Sequence, residues 1–152
     1  MTLALTPEES VWKTVADRLR TVPNVKKVYE GYRQGYIDGV MPCIVMEILP
    51  SREVKGPGPK MLEVPMIIEI RGVIGIKNRL DDQIIGDDRS PGILRFERAI
   101  KLAFEGNDLK LNNRIHGYEI ETMDNKNVND NVREVVIRLT LQLNYQVAGQ
   151  RT

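Results

Sequence analysis

Alternation of apolar and polar positions is strongest between Val132 and Val147. From Val135 every second residue is apolar (Val135, Ile137, Leu139, Leu141, Leu143, Tyr145, Val147), and Arg138, Thr140, Gln142, Asn144 and Gln146 fall between them. A period of two marks a strand with one buried and one wetter face. From Val135 on, this stretch spans about 43 Å at about 3.3 Å per residue, against a usual strand of about 5–6 residues. Such a strand crosses a whole sheet and can run past it. A second long strand is expected over Met61–Ile76, where Leu62, Val64, Met66, Ile68, Ile70, Ile74 and Ile76 alternate with Glu63, Pro65, Ile67, Glu69 and Arg71. Gly72 and Gly75 suggest a bulge or bend in it, and Pro65 suggests an edge or a bulge.

Two stretches change to helical spacing. Thr6-Pro7-Glu8-Glu9 supplies an N-cap hydroxyl, a proline at N1 and a glutamate at N3, which together predict a capping box. Val11, Trp12, Val15, Ala16 and Leu19 then share one face, and Pro23-Asn24 stops the helix. Trp12 reads as a core anchor, with ligand stacking the lesser alternative. The second helix is predicted over Pro91–Glu105, capped by Ser90, with Ile93, Phe96, Ile100, Ala103 and Phe104 on its apolar face and Gly106 placed to end it.

Shorter strands are predicted over Val25–Tyr32, over Met41–Leu49 with Ile44, Met46 and Ile48 on one face, and over Gly117–Thr122 with Tyr118 and Ile120 on one side. Met123–Asn131, with two aspartates and four asparagines, has the composition of a turn and would close an antiparallel hairpin. Pro50–Lys60 holds three prolines and two glycines, so it reads as the projecting tip of a hairpin, made basic by Arg52, Lys55 and Lys60. Residues 77–90 are expected to form a second projecting loop. The order helix, two or three strands, helix, two strands fits a single α+β domain over residues 1–152. Its expected form is a two-layer sandwich: a mainly antiparallel sheet with both helices packed on one face.

Composition narrows the function. Hydrophobic residues at 41% and charged residues at 28% place the chain among soluble globular proteins. A net charge of +1 supplies no global field for nucleic acid or an anionic membrane. No apolar run approaches the ~20 residues that span a bilayer. The N-terminal stretch lacks the basic start and apolar core of a secretory signal, and Cys43 is the one cysteine, so a cytoplasmic setting is expected. Cys43 reads as a buried structural thiol.

Candidate chemistry is sparse. Tyr29, Tyr32 and Tyr36 surround Arg33, which suggests sheet surface or a subunit contact rather than a nucleic-acid platform. Asp81-Asp82 and Asp87-Asp88 invite a hard cation. Adjacent aspartates on an extended chain point to opposite faces, however, and no calcium-loop spacing surrounds them. His116 is the sole histidine and has no carboxylate or second histidine near it in sequence. There is no phosphate-binding Gly-rich loop, no Gly-x-Ser-x-Gly elbow and no cysteine pair for zinc. No catalytic residue, cofactor or metal is therefore assigned. The enzymatic alternative is a metal-dependent hydrolase using Asp81, Asp82, Asp87 and Asp88; a small regulatory or ligand-binding domain is the other.

The whole arrangement resembles the tail terminator, or tail completion, proteins of long-tailed bacteriophages. The resemblance rests on the Val11–Leu19 helix, the Met41–Leu49 and Met61–Ile76 hairpin, and the Ile93–Phe104 helix followed by Asn107-Asp108-Leu109-Lys110-Leu111. A strand like Tyr118–Thr122, an acidic turn and a closing strand through Leu141-Gln142-Leu143-Asn144-Tyr145 complete it. It implies a structural virion protein at the tail–neck junction, assembled in the host cytoplasm. Such subunits form a ring, typically a homohexamer, that caps the tail tube, stops its polymerisation and offers a surface to head-completion or neck proteins. In a contractile tail the ring also meets the sheath. No sequence-specific nucleic acid and no membrane are implied as partners. On this reading Arg52, Lys55, Lys60, Arg79, Asp81 and Asp82 are candidate contacts to tube, sheath or neck, and Leu143, Tyr145 and Val147 a candidate strand edge between subunits. Another head–tail connector is the nearest structural alternative.

Overall fold

The computed structural model describes residues 4–31, 40–50, 54–55, 62–63, 65–76, 84–86, 92–105, 115–129 and 131–143. Helix α1 covers Pro7–Leu19. Its capping box is formed as the sequence predicts: Glu9 N donates to Thr6 Oγ1 at 3.1 Å and Thr6 N donates to Glu9 Oε1 at 3.1 Å. Val11, Val15, Ala16 and Leu19 are fully buried. Among the described residues no helix is long and apolar enough to cross a membrane.

The strands among the described residues are β1 (Lys27–Glu30), β2 (Cys43–Leu49), β3 (Val54–Lys55), β4 (Leu62–Glu63), β5 (Met66–Gly75), β6 (Ile115–Asn129) and β7 (Val132–Leu143). Five of them make one sheet in the order β1-β2-β5-β7-β6, with β1 parallel to β2 and all other pairs antiparallel. Strands β3 and β4 pair only with each other, as a small ribbon carried by the β2–β5 hairpin. Helix α2 covers Ile93–Leu102. One core cluster joins Val11, Val15 and Leu19 of α1 and Ile93, Phe96 and Ile100 of α2 to Ile44, Met46, Ile68, Ile70, Ile137 and Leu139. The fold is the expected α+β arrangement, with both helices on one face of a mostly antiparallel sheet.

Several local expectations are corrected. The β5–β7 ladder runs from Met66↔Leu141 to Gly75↔Val132 without a register shift, so Gly72 and Gly75 make no bulge. Gly72 serves packing instead: a Cβ there would lie 2.7 Å from Ile100 Cδ1 and 3.2 Å from Phe96 Cδ1, so its bare backbone lets α2 approach the sheet. In the Pro50–Lys60 loop, Val54 and Lys55 do form a strand, because Glu63 and Leu62 supply a partner. Ile48 does not join Ile44 and Met46 in the core; it is 50% exposed, beyond the cover of α1.

Strand β6 does not stop at Thr122 but continues to Asn129 through the stretch expected to turn. Cross-strand bonds overcome the poor strand preference of asparagine: Arg133 Nε donates to Asn125 Oδ1 at 2.9 Å and Arg133 Nη1 to Asn127 Oδ1 at 2.8 Å. Three register shifts, at Ile115/Gly117, Thr122/Asp124 and Asn127/Asn129, take up the irregularity.

Helix α2 begins later than the sequence predicts, at Ile93, with Gly92 as N-cap and no side-chain cap bond. Ser90 and Pro91 lie outside the described residues. The cap comes from backbone: Gly92 N donates to Ile85 O at 3.1 Å and Leu94 N to Ile84 O at 3.2 Å. The helix also ends earlier, at Leu102, and tightens into i→i−3 bonds from Phe104 N to Lys101 O and Glu105 N to Leu102 O.

Gly92 is required by space rather than by backbone angle. Its φ of −73° suits any residue, but a Cβ would lie 2.3 Å from Ile84 O. Gly92→Ala should destabilise the protein by about 1–3 kcal/mol, because rigid backbone has to move. Gly117→Ala, with nothing within 4 Å of the added carbon, is the control; it should stay within about 0.5 kcal/mol. Urea unfolding of the two variants measures the contrast.

Candidate functional site

A groove of about 610 Å³ runs along the flank of α1. Its position follows from a mismatch of lengths. Strand β1 pairs only with Cys43–Met46, so Glu47–Leu49 at the end of β2 have no neighbour on that side among the described strands. Ile48 and Met66 line the groove on the sheet side, and Leu5, Trp12 and Lys13 line it on the helix side. Leu5 and Ile48 are each 50% exposed, so the groove presents apolar surface to solvent.

Glu30, at the end of β1, ties this region together. Trp12 Nε1 donates to Glu30 Oε1 at 2.8 Å, and Arg20 Nη2 donates to Glu30 Oε2 at 2.8 Å. Arg20 Nη1 also donates to Asp17 Oδ1 at 3.0 Å. The Arg20 hydrogen bond, then that of Trp12, holds the Glu30 carboxyl below its ordinary value of 4.5. Trp12 packs against the core as expected and in addition pins the helix to β1 through its indole N–H. The lining is otherwise acidic: Glu8, Glu9, Asp17 and Glu30 stand against Lys13 and Arg20, a formal excess of two negative charges, while Glu47, which lines the rim, follows Cys43 and Val45 in the alternation of β2 and belongs to the opposite face.

Trp12 apart, the singled-out residues that the structure describes do not converge on this groove. Tyr29 is buried on the opposite sheet face, with Lys27 Nζ 5.0 Å from its ring centre. Cys43 is a buried free thiol on that face too. His116 is exposed on β6, three strand spacings from β2, about 14 Å at about 4.8 Å each. Cys43 and His116 therefore do not meet. Leu143 is buried in the core and paired with Ile115, so its β6 side is occupied within the chain. Arg52, Lys60, Arg79, Asp81, Asp82, Asp87, Asp88, Tyr145 and Val147 lie outside the described residues, as do Tyr32, Arg33 and Tyr36. Lys55 is described only as a backbone position in β3. Among the described residues no group of three or more His, Cys, Asp or Glu side chains could hold a metal ion.

The sheet face away from the helices carries charge. Glu47, Glu69, Arg138 and Glu121 are successive cross-strand neighbours. Arg71 binds Glu69 and, at 3.2 Å, the nearly buried carboxylate of Glu134. Arg138 and Thr140 are half-buried and Gln142 is exposed, so these side chains face away from the core. The buried Nε of Arg138 has no hydrogen-bond partner among the described residues. No family model matches the chain, and no curated protein matches it.

Glu30 gives the groove a pH signature. Its folded-state value is lowered, so its contribution is present above the unfolded value of 4.5 and is lost as pH falls through the lowered value. The Arg20 and Glu30 side chains are 46% and 42% exposed. Solvent screening therefore keeps the effect of Glu30→Gln at neutral pH to about 0.5 kcal/mol or less. That difference should vanish in acid; thermal unfolding of both proteins between neutral pH and pH 3 measures it.

Proposed function

We propose that this protein is a structural subunit of a phage tail, a tail terminator that closes into a homohexameric ring on the finished tube. The observation that supports this reading most is the order of its parts. A capped helix, a β2–β5 hairpin bearing a small ribbon, a second helix and a closing β6–β7 hairpin form two layers with both helices on one side. The resemblance to tail terminators drawn from the sequence depends on the same order. On this reading the protein is no enzyme and carries no cofactor. It works by shape: the ring covers the growing end of the tube and gives head-completion or neck proteins a surface. In a contractile tail it also meets the sheath. Residues 77–90, with Arg79, Asp81 and Asp82, and the basic residues Arg52, Lys55 and Lys60 are its proposed contacts. Its place is the tail–neck junction of the virion.

A ring arises from a head-to-tail contact between unlike surfaces, repeated by rotation until it closes. The chain should therefore run as a closed oligomer in size-exclusion chromatography with light scattering. Added to polymerising tail tubes, it should sit at the tube end and halt growth, as seen by electron microscopy. Attachment at the portal side instead would make it a connector. A strict monomer without effect on tubes would sink the proposal.

A further inference from the structure

The two helices leave unlike surfaces at the two sides of their layer. They meet where Arg18 Nη1 of α1 donates to Ala103 O, at the end of α2, at 3.3 Å. At about 3.6 residues per turn, positions nine apart face opposite ways. Glu9 therefore stands opposite Arg18 around α1, on the groove side, and Leu94 stands opposite Ala103 around α2. The groove and the Leu94 flank lie at opposite sides of the helical layer.

The two surfaces are complementary in shape, apolar character and charge. Leu94, Arg98 and Leu102 recur every four residues and form one ridge along α2. Leu94 is 55% exposed and Leu102 45%, and Ile84, which accepts from Leu94 N, brings the exposed Ile85 to the end of the ridge. Of the eight large apolar side chains exposed among the described residues, four (Ile84, Ile85, Leu94, Leu102) gather at this ridge and two (Leu5, Ile48) at the groove. Exposed apolar surface collected in this way marks a contact site, whereas single scattered residues do not. The ridge carries the exposed Arg95 and Arg98 against Glu105, while Glu97 turns to Lys101 and to Thr122 of β6. The groove has the opposite balance, with Glu8, Glu9, Asp17 and Glu30 against Lys13 and Arg20.

We propose that the α2 ridge of one copy seats in the α1 groove of a second copy of this chain, and that this contact, repeated, builds the ring. The proposal rests on the ring reading above and deepens it. Each surface has its complement at the far side of the same helical layer, so one copy alone cannot bring them together. Ridge on ridge would set Arg95 and Arg98 against themselves, and groove on groove would set carboxylates against carboxylates; like charges across an interface are costly. Ridge in groove joins unlike surfaces, the kind of contact that closes by rotation. The lengths agree too. Leu94 to Leu102 spans about 12 Å at about 1.5 Å per residue, and the α1 stretch from Glu8 to Asp17 that flanks the groove spans about 14 Å.

The test is paired charge reversal in the full chain, read by light scattering. Arg95→Glu with Arg98→Glu should shift assembly to roughly tenfold or more higher protein concentration, and so should Glu8→Lys with Asp17→Lys. All four changes together should restore the original concentration dependence, which a mere folding defect would not allow. Unchanged assembly in either pair, or no recovery in the combination, overturns the contact. A cross-link reads the geometry directly, because Cys43 is buried. Chains carrying Lys13→Cys and chains carrying Arg98→Cys, treated with a short bismaleimide, should join when mixed and not when alone. Links within either variant alone, or none in the mixture, overturn the contact. The outcomes also separate this contact from the terminator reading. Rings that survive both reversals and still cap tubes overturn the contact and keep the terminator. Rings that dissociate on reversal, from a wild type that ignores tubes, keep the contact and overturn the terminator. A wild-type chain that stays monomeric overturns both.

Discussion

The unbroken ladder between β5 and β7 is the constraint on which the rest of the molecule depends. It puts Ile68, Ile70, Ile137 and Leu139 on one face, all fully buried. Each such side chain is worth about 1.5–3 kcal/mol when taken from water. A slip of one residue would turn the whole set outward and bring Glu69, Arg71, Glu134 and Arg138 against the helices. The register is therefore set by what it would cost to bury those charges. α2 can lie close to this ladder because Gly72 has no side chain, and α1 reaches across from β1 to β7 on the same face.

That much was legible in the sequence, because a period of two with a polar opposite face belongs to a half-buried strand and to little else. α1 was legible for a similar reason: its capping box is a local motif whose groups sit three residues apart. The misses share one cause, in that distant partners decide the local structure. Asn125 and Asn127 look like turn residues until Arg133 is placed opposite them. Gly92 is an ordinary glycine as a sequence position, and the backbone of Ile84 and Ile85 that caps α2 through it could not have been foreseen from nearby residues. Ile48 continues an apolar alternation, yet no helix covers it, and alternation alone does not reveal where a helix ends over a sheet.

The groove was hidden in the same way. Trp12 falls on the apolar face of a helix, and its reading as a core anchor is correct as far as it goes. Its second role comes from Glu30, eighteen residues away, which the indole N–H reaches once β1 lies beside α1. Arg20 reads as a surface residue just past the helix end until Glu30 arrives as its partner. Along α1 and β1 four acids stand against three bases, so composition alone did not mark this flank.

Sheet width dictates that a groove exists at all. Five strands span about 24 Å at about 4.8 Å each, and two helices side by side cover about 20 Å. With both helices on one face, a margin of sheet stays uncovered unless another segment fills it. The opposite face needs no helix for most of its area. Its charges compensate one another across strands, through Arg71 with Glu69 and Glu134 and through Arg138 between Glu69 and Glu121 in register. Its one apolar region among the described residues, around Tyr29, Cys43, Val45, Val73 and Val132, is packed by Val40 and Met41. The margin on the helix side has no such cover among the described residues: Leu5 and Ile48 stand half-exposed there beside a line of carboxylates.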